Sequence, residues 1–424
     1  MRPVTPPVTV TALTVDRREE VQALDQLAFA FGVEDSAADP ATATAALEWD
    51  RVFGATLDED PDLAGIYAVY SLGLGVPHGR SGQAAITPMA GLSWVGVDPG
   101  RRRRGVASAM LRHHLHDLHE SGGEPVSGLH ASEPAIYGRF GYGLAASGLR
   151  LTVPRGAALR DVAGAGEITT SVVTADPAQH TELVARLHQQ ACRQRPGMVS
   201  RSPLLSERHL LDPPERREHR EALRLVLAAR GEEPTGYAVL RRTRAWQDAR
   251  PQGKAVVEEI VAADAATARA LWGLLLDLDL MDSISTPSTA ADDPLLRLLV
   301  DARSARPVLT DDLWLRLVDV DRALGARTYA EPVDVVLAVT DALCPWNARS
   351  WRLSGGPDGA TCEPTSAAAE VGIDVRDLAS AYLGGTSLAS LAAAGLAVEH
   401  RAGALAHLSG AMRSALEPTS PYSF

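Results

Sequence analysis

Four consecutive arginines, Arg101-Arg102-Arg103-Arg104, are followed at once by Gly105-Val106-Ala107. Before them come the apolar run Leu92-Ser93-Trp94-Val95-Gly96-Val97 and the turn Asp98-Pro99-Gly100. Guanidinium groups bind phosphate oxygens through paired N–H donors, so charge of this density suits a ligand the size of a diphosphate. Gly105 lets such a ligand approach the backbone with no side chain in the way. Val106, Met110 or Leu111, Leu115 and Leu118 then recur at helical spacing. A helix therefore starts near Arg104, and its free backbone N–H groups point back into the loop, where an anion is favoured. A basic run also suits a solvated surface cluster or a nucleic-acid patch; the strand before it and the helix after it favour phosphate. The loop is not a Walker A sequence, because no Gly-Lys-Ser/Thr closes it, and the GxGxxG spacing of a dinucleotide fingerprint is absent.

A second chemical stretch runs Leu129-His130-Ala131-Ser132-Glu133-Pro134-Ala135-Ile136-Tyr137-Gly138-Arg139-Phe140-Gly141-Tyr142-Gly143. It reads as a strand end, a short helix and a glycine-rich turn, with two tyrosines of which either, taken alone, suits a packed or hydrogen-bonded scaffold position. His113, His114, His116 and His119 fall on the polar side of the helix after the arginines. Pairs at that spacing reach one metal ion, but no third ligand accompanies them, and a solvated face is the better reading. Ser93 lacks the second glycine of a nucleophile elbow and sits inside a strand, which weakens a hydrolase reading; His130 reads as a packed strand-end residue rather than a base. The chain ends Pro421-Tyr422-Ser423-Phe424, and a terminal carboxylate is ordinarily frayed.

These residues need elements to hold them. The 424 residues hold 41 Lys and Arg against 53 Asp and Glu, a net charge of −12, the wrong sign for a chain that coats nucleic acid and better suited to cationic ligands. Length favours about three domains at roughly 150 residues each. Residues 1 to 153 alternate helix and strand, with a helix over Arg17–Phe31 and strands over Ala64–Leu74, Gly91–Val97 and Leu149–Val153. Pro154–Gly166 reads as a linker. Residues 167 to 300 repeat the pattern more weakly, with a helix over Thr181–Gln194, strands over Leu223–Ala229, Gly236–Arg241 and Val256–Ala262, and a helix over Ala265–Leu278. Residues 301 to 424 form a distinct unit, with strands over Leu313–Val318 and Val333–Val339 and helices over Ser366–Leu383 and Ser387–Leu396. Cys192, Cys344 and Cys362 are far apart and odd in number, so neither a disulfide framework nor a zinc site is expected. Met1–Val10 has no apolar run behind a basic patch, so no secretory leader is expected, and no run of about 18 apolar residues is present; the expected compartment is the cytoplasm, without a membrane partner.

Arg102-x-x-Gly105-x-Ala107 fits Arg/Gln-x-x-Gly-x-Gly/Ala, which resembles the pyrophosphate loop of the GNAT superfamily of N-acetyltransferases. Ala131-Ser132-Glu133 with Tyr137-Gly-Arg-Phe-Gly-Tyr-Gly is similar, much more specifically, to the enhanced intracellular survival (Eis) family within it. Resemblance extends along the chain: the central unit looks like that family's second GNAT-like domain, and Leu313–Phe424, with Ala381-Tyr382-Leu383-Gly384-Gly385, like its sterol-carrier-protein-like domain. The resemblance implies an α/β (α+β) fold of two tandem GNAT-like domains and a sterol-carrier-like domain. It implies acetyl-CoA as cosubstrate, bound by Val95, Gly96, Val97, Arg103, Arg104, Gly105, Val106, Ala107, Ser108, Ser132 and Glu133. Tyr137 would be the general acid, the Phe424 carboxylate the proton acceptor and Trp94 a substrate contact, with no metal. Ser423 departs from the acidic-aromatic ending of the best-known members, and the helix around Phe29 and Phe31 lacks the expected acidic neighbour unless Glu34 or Asp35 substitutes. The implied reaction is acetylation of amino groups on aminoglycosides, other polyamines or lysine side chains, hence a part in antibiotic resistance, by a homo-hexamer. The alternatives are an acetyltransferase acting only on protein lysines, and a non-catalytic lipid- or protein-binding module.

Overall fold

The structure, a computed structural model, describes residues 7–30, 44–58, 60–79, 83–217 and 220–424. The first unit runs β1 (Val8–Ala12), α1 (Arg18–Phe29), β2 (Val52–Leu57), β3 (Gly65–His78), β4 (Gln83–Val97), α2 (Val106–Ser121), β5 (Val126–Leu129), α3 (Pro134–Tyr137) and β6 (Gly143–Pro154). The alternation expected here is present, but β4 begins well before Gly91. Pro88 does not interrupt it, because residues 83–88 pair only with β3 and β5 joins from Met89 onward; a strand paired on one side tolerates a residue without an N–H.

The second unit follows as β7 (Ile168–Thr174), α4 (Pro177–Cys192), α5 (Pro203–Leu210), β8 (Arg224–Arg230), β9 (Glu233–Thr243), the two-residue ribbon β10 (Trp246–Gln247) and β11 (Arg250–Pro251), β12 (Gly253–Ala262), α6 (Ala265–Leu276), β13 (Met281–Thr286) and α7 (Pro294–Leu298). Side-chain caps start all four of these helices: Asp176 on Ala178 N–H, Ser202 on Leu205 N–H, Asp264 on Thr267 N–H and Asp293 on Leu295 N–H, each satisfying an otherwise unpaired donor.

Next comes β14 (Val308–Leu317), where the structure departs from the sequence reading. Leu313–Val318 was expected to open the C-terminal unit. Instead β14 lies between β5 and β6, antiparallel to both, in a twelve-stranded sheet of order β1-β2-β3-β4-β5-β14-β6-β13-β12-β9-β8-β7. Alternate residues Leu313, Leu315 and Leu317 are fully buried, so the segment satisfies the apolar faces of the large sheet. The two GNAT-like units therefore share one continuous sheet.

The remaining chain is α8 (Val320–Ala326), β15 (Val333–Thr340), β16 (Ser350–Gly356), β17 (Gly359–Pro364), β18 (Val371–Asp374), α9 (Val375–Ala381), α10 (Leu388–Ala393), β19 (Ala397–Glu399) and α11 (Ala404–Met412), with a sheet of order β17-β16-β15-β18-β19. Ser366–Leu383 is not one helix as expected. Val371-Gly372-Ile373 pairs with β15 as a parallel strand, and Asp374 then caps a shorter helix through Arg376 N–H. One apolar core is continuous between the first unit and this one, from Leu13 and Val21 to Leu405 and Met412. Among the described residues, no helix is long and apolar enough to cross a membrane.

Candidate active site

The site begins with a fault in β4. Ile66 opposes Gly96 but Ala68 opposes Ser93, so β4 carries an extra residue there. This β-bulge puts Trp94 at φ +57°, a conformation few non-glycine residues adopt. Its indole Nε1 donates to Tyr70 Oη at 3.1 Å, which fixes the kink. β4 pairs with β5 only through Met89, Ala90 and Gly91, opposite Val126, Ser127 and Gly128. The last residue of β5, Leu129, pairs only with β14 on the other side, and Leu92–Val97 has no strand neighbour on the β5 side. The backbone of Val95–Val97 thus borders an open cleft.

A cavity of about 1170 Å³ occupies the cleft. Trp94, Val95, Gly96, Val97, Arg103, Gly105, Val106, Ala107, Ser108, Ser132, Glu133, Tyr137 and Phe424 all line it. Arg104 does not; it is exposed in the loop, and Arg102 lines the cavity in its place. Arg101 is a strut, ion-paired with Asp60 at 3.0 Å and with Asp62 and Asp98 at 3.4 Å. Left-handed Arg103 (φ 63°) and Gly105 (φ 85°) bend the loop so that α2 starts at the cavity, with Gly105 as its N-cap. The N–H groups of its first turn have no intrahelical partner, and beside these arginines they suit an anion.

The two tyrosines separate by access. Tyr142 is fully buried, its hydroxyl 2.8 Å from Ser127 Oγ. Tyr137 lines the cavity, and burial pushes its hydroxyl up to about 12. On the opposite wall Ser93 Oγ donates to the main-chain oxygen of Phe424 at 3.0 Å. The Phe424 ring lies edge-on to His130 at 5.2 Å, over Gly91, where a Cβ would meet it at 2.9 Å. His130 Nδ1 is 3.7 Å from Asp312. Burial lowers the imidazole to about 4 and raises the Asp312 carboxyl to about 7, so this contact is not an ion pair at neutral pH. Asp312 instead accepts the Ser420 N–H at 2.8 Å and the Thr419 hydroxyl at 3.3 Å, tying the tail to β14.

The helix histidines serve packing. His114 is buried, contrary to the expected solvated face, and its Nε2 lies 2.9 Å from Ser127 Oγ. His113 Nδ1 is 2.8 Å from Tyr67 Oη. His116 and His119 pack on Trp346 of the C-terminal unit, and His119 meets Asp319 at 2.5 Å.

Some cavity residues escaped the sequence reading. Asp25, with Gln22, Gln26 and Phe29, brings α1 into the wall. Asp25 is one helical turn before Phe29, so the acidic neighbour sought beyond the aromatics lies before them; Phe31, Glu34 and Asp35 are outside the described residues. Burial raises the Asp25 carboxyl to about 7 against the opposing pull of Arg208. Arg208, His209, Arg241 and Glu258 come from the second unit, and no local motif marks them.

Residues 12–145 and 197–317 each match an acetyltransferase (GNAT) domain, and residues 320–422 a sterol carrier protein domain. The N-acetyltransferase Eis of Mycobacterium tuberculosis is 38% identical over 316 residues, covering 73% of this chain and 74% of that protein. The chain belongs to the Eis family of N-acetyltransferases. An uncharacterized N-acetyltransferase of Streptomyces avermitilis is 40% identical over 386 residues, 89% of this chain and 90% of its own. The crystal structure of Eis1 from Mycobacterium abscessus superposes with a TM-score of 0.82 at 31% identity, covering 99% of this chain and 100% of that one. A GCN5-related N-acetyltransferase from Anabaena variabilis has the same fold, with a TM-score of 0.83 at 20% identity over 99% of this chain and 100% of its own. This Eis-family enzyme transfers acetyl groups to amines.

Proposed function

We propose that the chain acetylates primary amines of aminoglycosides, other polyamines or lysine side chains, with acetyl-CoA as the donor. The observation that carries this reading is the meeting, in one cavity, of Tyr137, the Arg102–Ser108 loop and the Phe424 end held by Ser93. The cavity residues fit a CoA thioester: the α2 N-terminus and the arginines suit a pyrophosphate, and the free edge of Val95–Val97 suits an amide-bearing arm paired like an added strand. Acetyl-CoA supplies the activated acyl group. An alkylammonium, with a reference pKa near 10, must lose a proton before its nitrogen attacks. The Phe424 carboxylate holds the cation and takes that proton through water; with a reference pKa near 3.5 it works mainly by positioning. Tyr137, protonated throughout the physiological range, gives its proton to the departing thiolate sulfur as the C–S bond breaks, and the second proton shed by the newly acylated nitrogen restores the phenol through water. Trp94 and Asp25 face the acceptor.

CoA release is measured with acetyl-CoA and a panel of aminoglycosides, polyamines and lysine peptides, for the native chain, one lacking Phe424 and one extended past it. Turnover with the native end well above a residual rate in the other two is expected. Equal turnover in all three removes Phe424 from the mechanism, and turnover on lysine peptides alone replaces the small-amine acceptor with protein. We propose further that the chain assembles as a homo-hexamer, which sedimentation checks.

A further inference from the structure

The second GNAT-like unit holds a buried charged cluster that the chemistry above does not use. Glu259, on β12, is fully enclosed; its Oε1 meets Arg201 Nη2 at 2.5 Å and His188 Nδ1 at 3.2 Å. Its Oε2 accepts from Tyr237 Oη at 2.7 Å and lies 3.0 Å from His209 Nε2. Burial alone would raise this carboxyl, but Arg201, His209 and His188 hold it well below its ordinary range. Well-packed apolar residues stabilise an interior at least as well as a buried ion cluster, so stability alone does not explain this one.

What lies on top of the cluster explains it. The Arg201 guanidinium carbon is 4.0 Å from the centre of the Tyr422 ring, and His209 and His188 approach that ring edge-on at 5.8 and 6.4 Å. Arg201 Nε and Nη1 are buried and have no hydrogen-bond partner among the described residues, so the ring face is what those N–H groups meet. The seat is rooted in the first unit: Gly75 N–H donates to Met198 at 2.8 Å, Ser200 N–H donates to Gly73 at 2.8 Å, and β3 is the neighbour of β4. The tail follows the same segment, with Arg195 donating to the Glu417 carbonyl at 2.7 Å and Thr419 N–H to Pro196 at 3.1 Å.

We infer that the second GNAT-like unit acts on the reaction through a positioning site, in which the Tyr422 ring seated on Arg201 and anchored by Glu259 sets where the Phe424 carboxylate stands against Ser93. The inference rests on the carboxylate reading above. It gives the second unit a role in turnover through the tail, beyond the cavity wall it supplies, and makes Tyr422 and Arg201 positioning residues.

The full-length chain is compared as native, Tyr422→Ala, Tyr422→Leu, Tyr422→Phe, lacking Phe424, and Tyr422→Ala lacking Phe424. CoA release gives kcat and both KM values, and melting with acetyl-CoA titration reports folding. Misplacing a reacting group by about an ångström costs on the order of 10²-fold. Tyr422→Ala and Tyr422→Leu should therefore lower kcat about 10- to 100-fold with the acetyl-CoA KM unchanged. Tyr422→Phe, which keeps the ring face, should stay near native. Leu fills the volume without a ring and keeps the test open if Ala destabilises the fold. Tyr422→Ala should cost nothing further once Phe424 is gone. Native turnover in Tyr422→Leu, or a loss that multiplies on top of the Phe424 deletion, overturns the inference alone. Turnover untouched by the deletion overturns the carboxylate reading and this inference with it.

Discussion

Tyr137 and Tyr142, with ring centres 6.0 Å apart, differ in what their hydroxyls can reach. Replacing Tyr137 by Phe should lower kcat by about 10²- to 10⁴-fold, the usual range for a general acid, with the acetyl-CoA KM near native. Steady-state kinetics checks it, and equal losses in both constants reject the assignment. Tyr142→Phe should leave kcat near native and cost about 1 kcal/mol of stability through the lost Ser127 bond, read by denaturant melting. If the proposed acceptor site is right, Asp25 gives it a pH dependence. Burial pushes its carboxyl up to about 7, so it is neutral below that pH and anionic above. For a cationic acceptor, kcat/KM should rise as pH increases through about 7, and Asp25→Asn should flatten that limb; an unchanged profile in the variant removes Asp25 from acceptor binding. The loop from Arg103 to Ser108 was legible because it is local: a basic run, one glycine and the start of an apolar helix stand side by side. Asp25 was not, since only the folded helix shows that it faces the cavity one turn before Phe29.

At the scale of elements, β4 does the positioning. Its pairing with β5 stops at Gly91, its bulge sits three residues on at Trp94, and the Phe424 ring lies on Gly91 itself. A Cβ at position 91 would stand 2.4 Å from Leu72 Cδ1 and 2.9 Å from the Phe424 ring. Gly91→Ala should cost about 1–3 kcal/mol from overpacking, displace the tail and cut turnover, while acetyl-CoA titration stays native. A variant with full kcat shows that the ring's seat is irrelevant. Alternating patterns carried most strands and helices of the first two units, since period and burial agree there. They misassigned β14 and residues 366–383. Leu313–Val318 is apolar enough for either sheet, and only pairing with β5 and β6 decides which. Ala367-Ala368-Ala369 reads as helix former, but Val371-Gly372-Ile373 is claimed by β15, a tertiary preference that overrides the local one. Arg208, His209, Arg241 and Glu258 were invisible for the same reason, because nothing near them in sequence points to a cavity of the first unit.

In the whole molecule, three units meet at the tail. Asp312 on β14 holds Thr419 and Ser420 beside His130, and burial raises its carboxyl to about 7 from an ordinary 3.8. A group whose folded value is raised favours the fold fully below its unfolded value, and that contribution is lost as pH rises through the folded one. The native chain should therefore lose melting temperature between about pH 4 and 7 more steeply than Asp312→Asn. Parallel curves in calorimetry would show that this carboxyl does not titrate in the folded chain. The shared sheet has a further consequence for how the protein is made. The neighbours of β6 are β14 and β13, and neither is synthesised before residue 281. While the ribosome is still translating the second unit, the nascent first unit exposes bare edges on β5 and β6. Its completion must await residues 308–317, so the two acetyltransferase-like units cannot mature one after the other as the chain emerges; they must fold as one cooperative body.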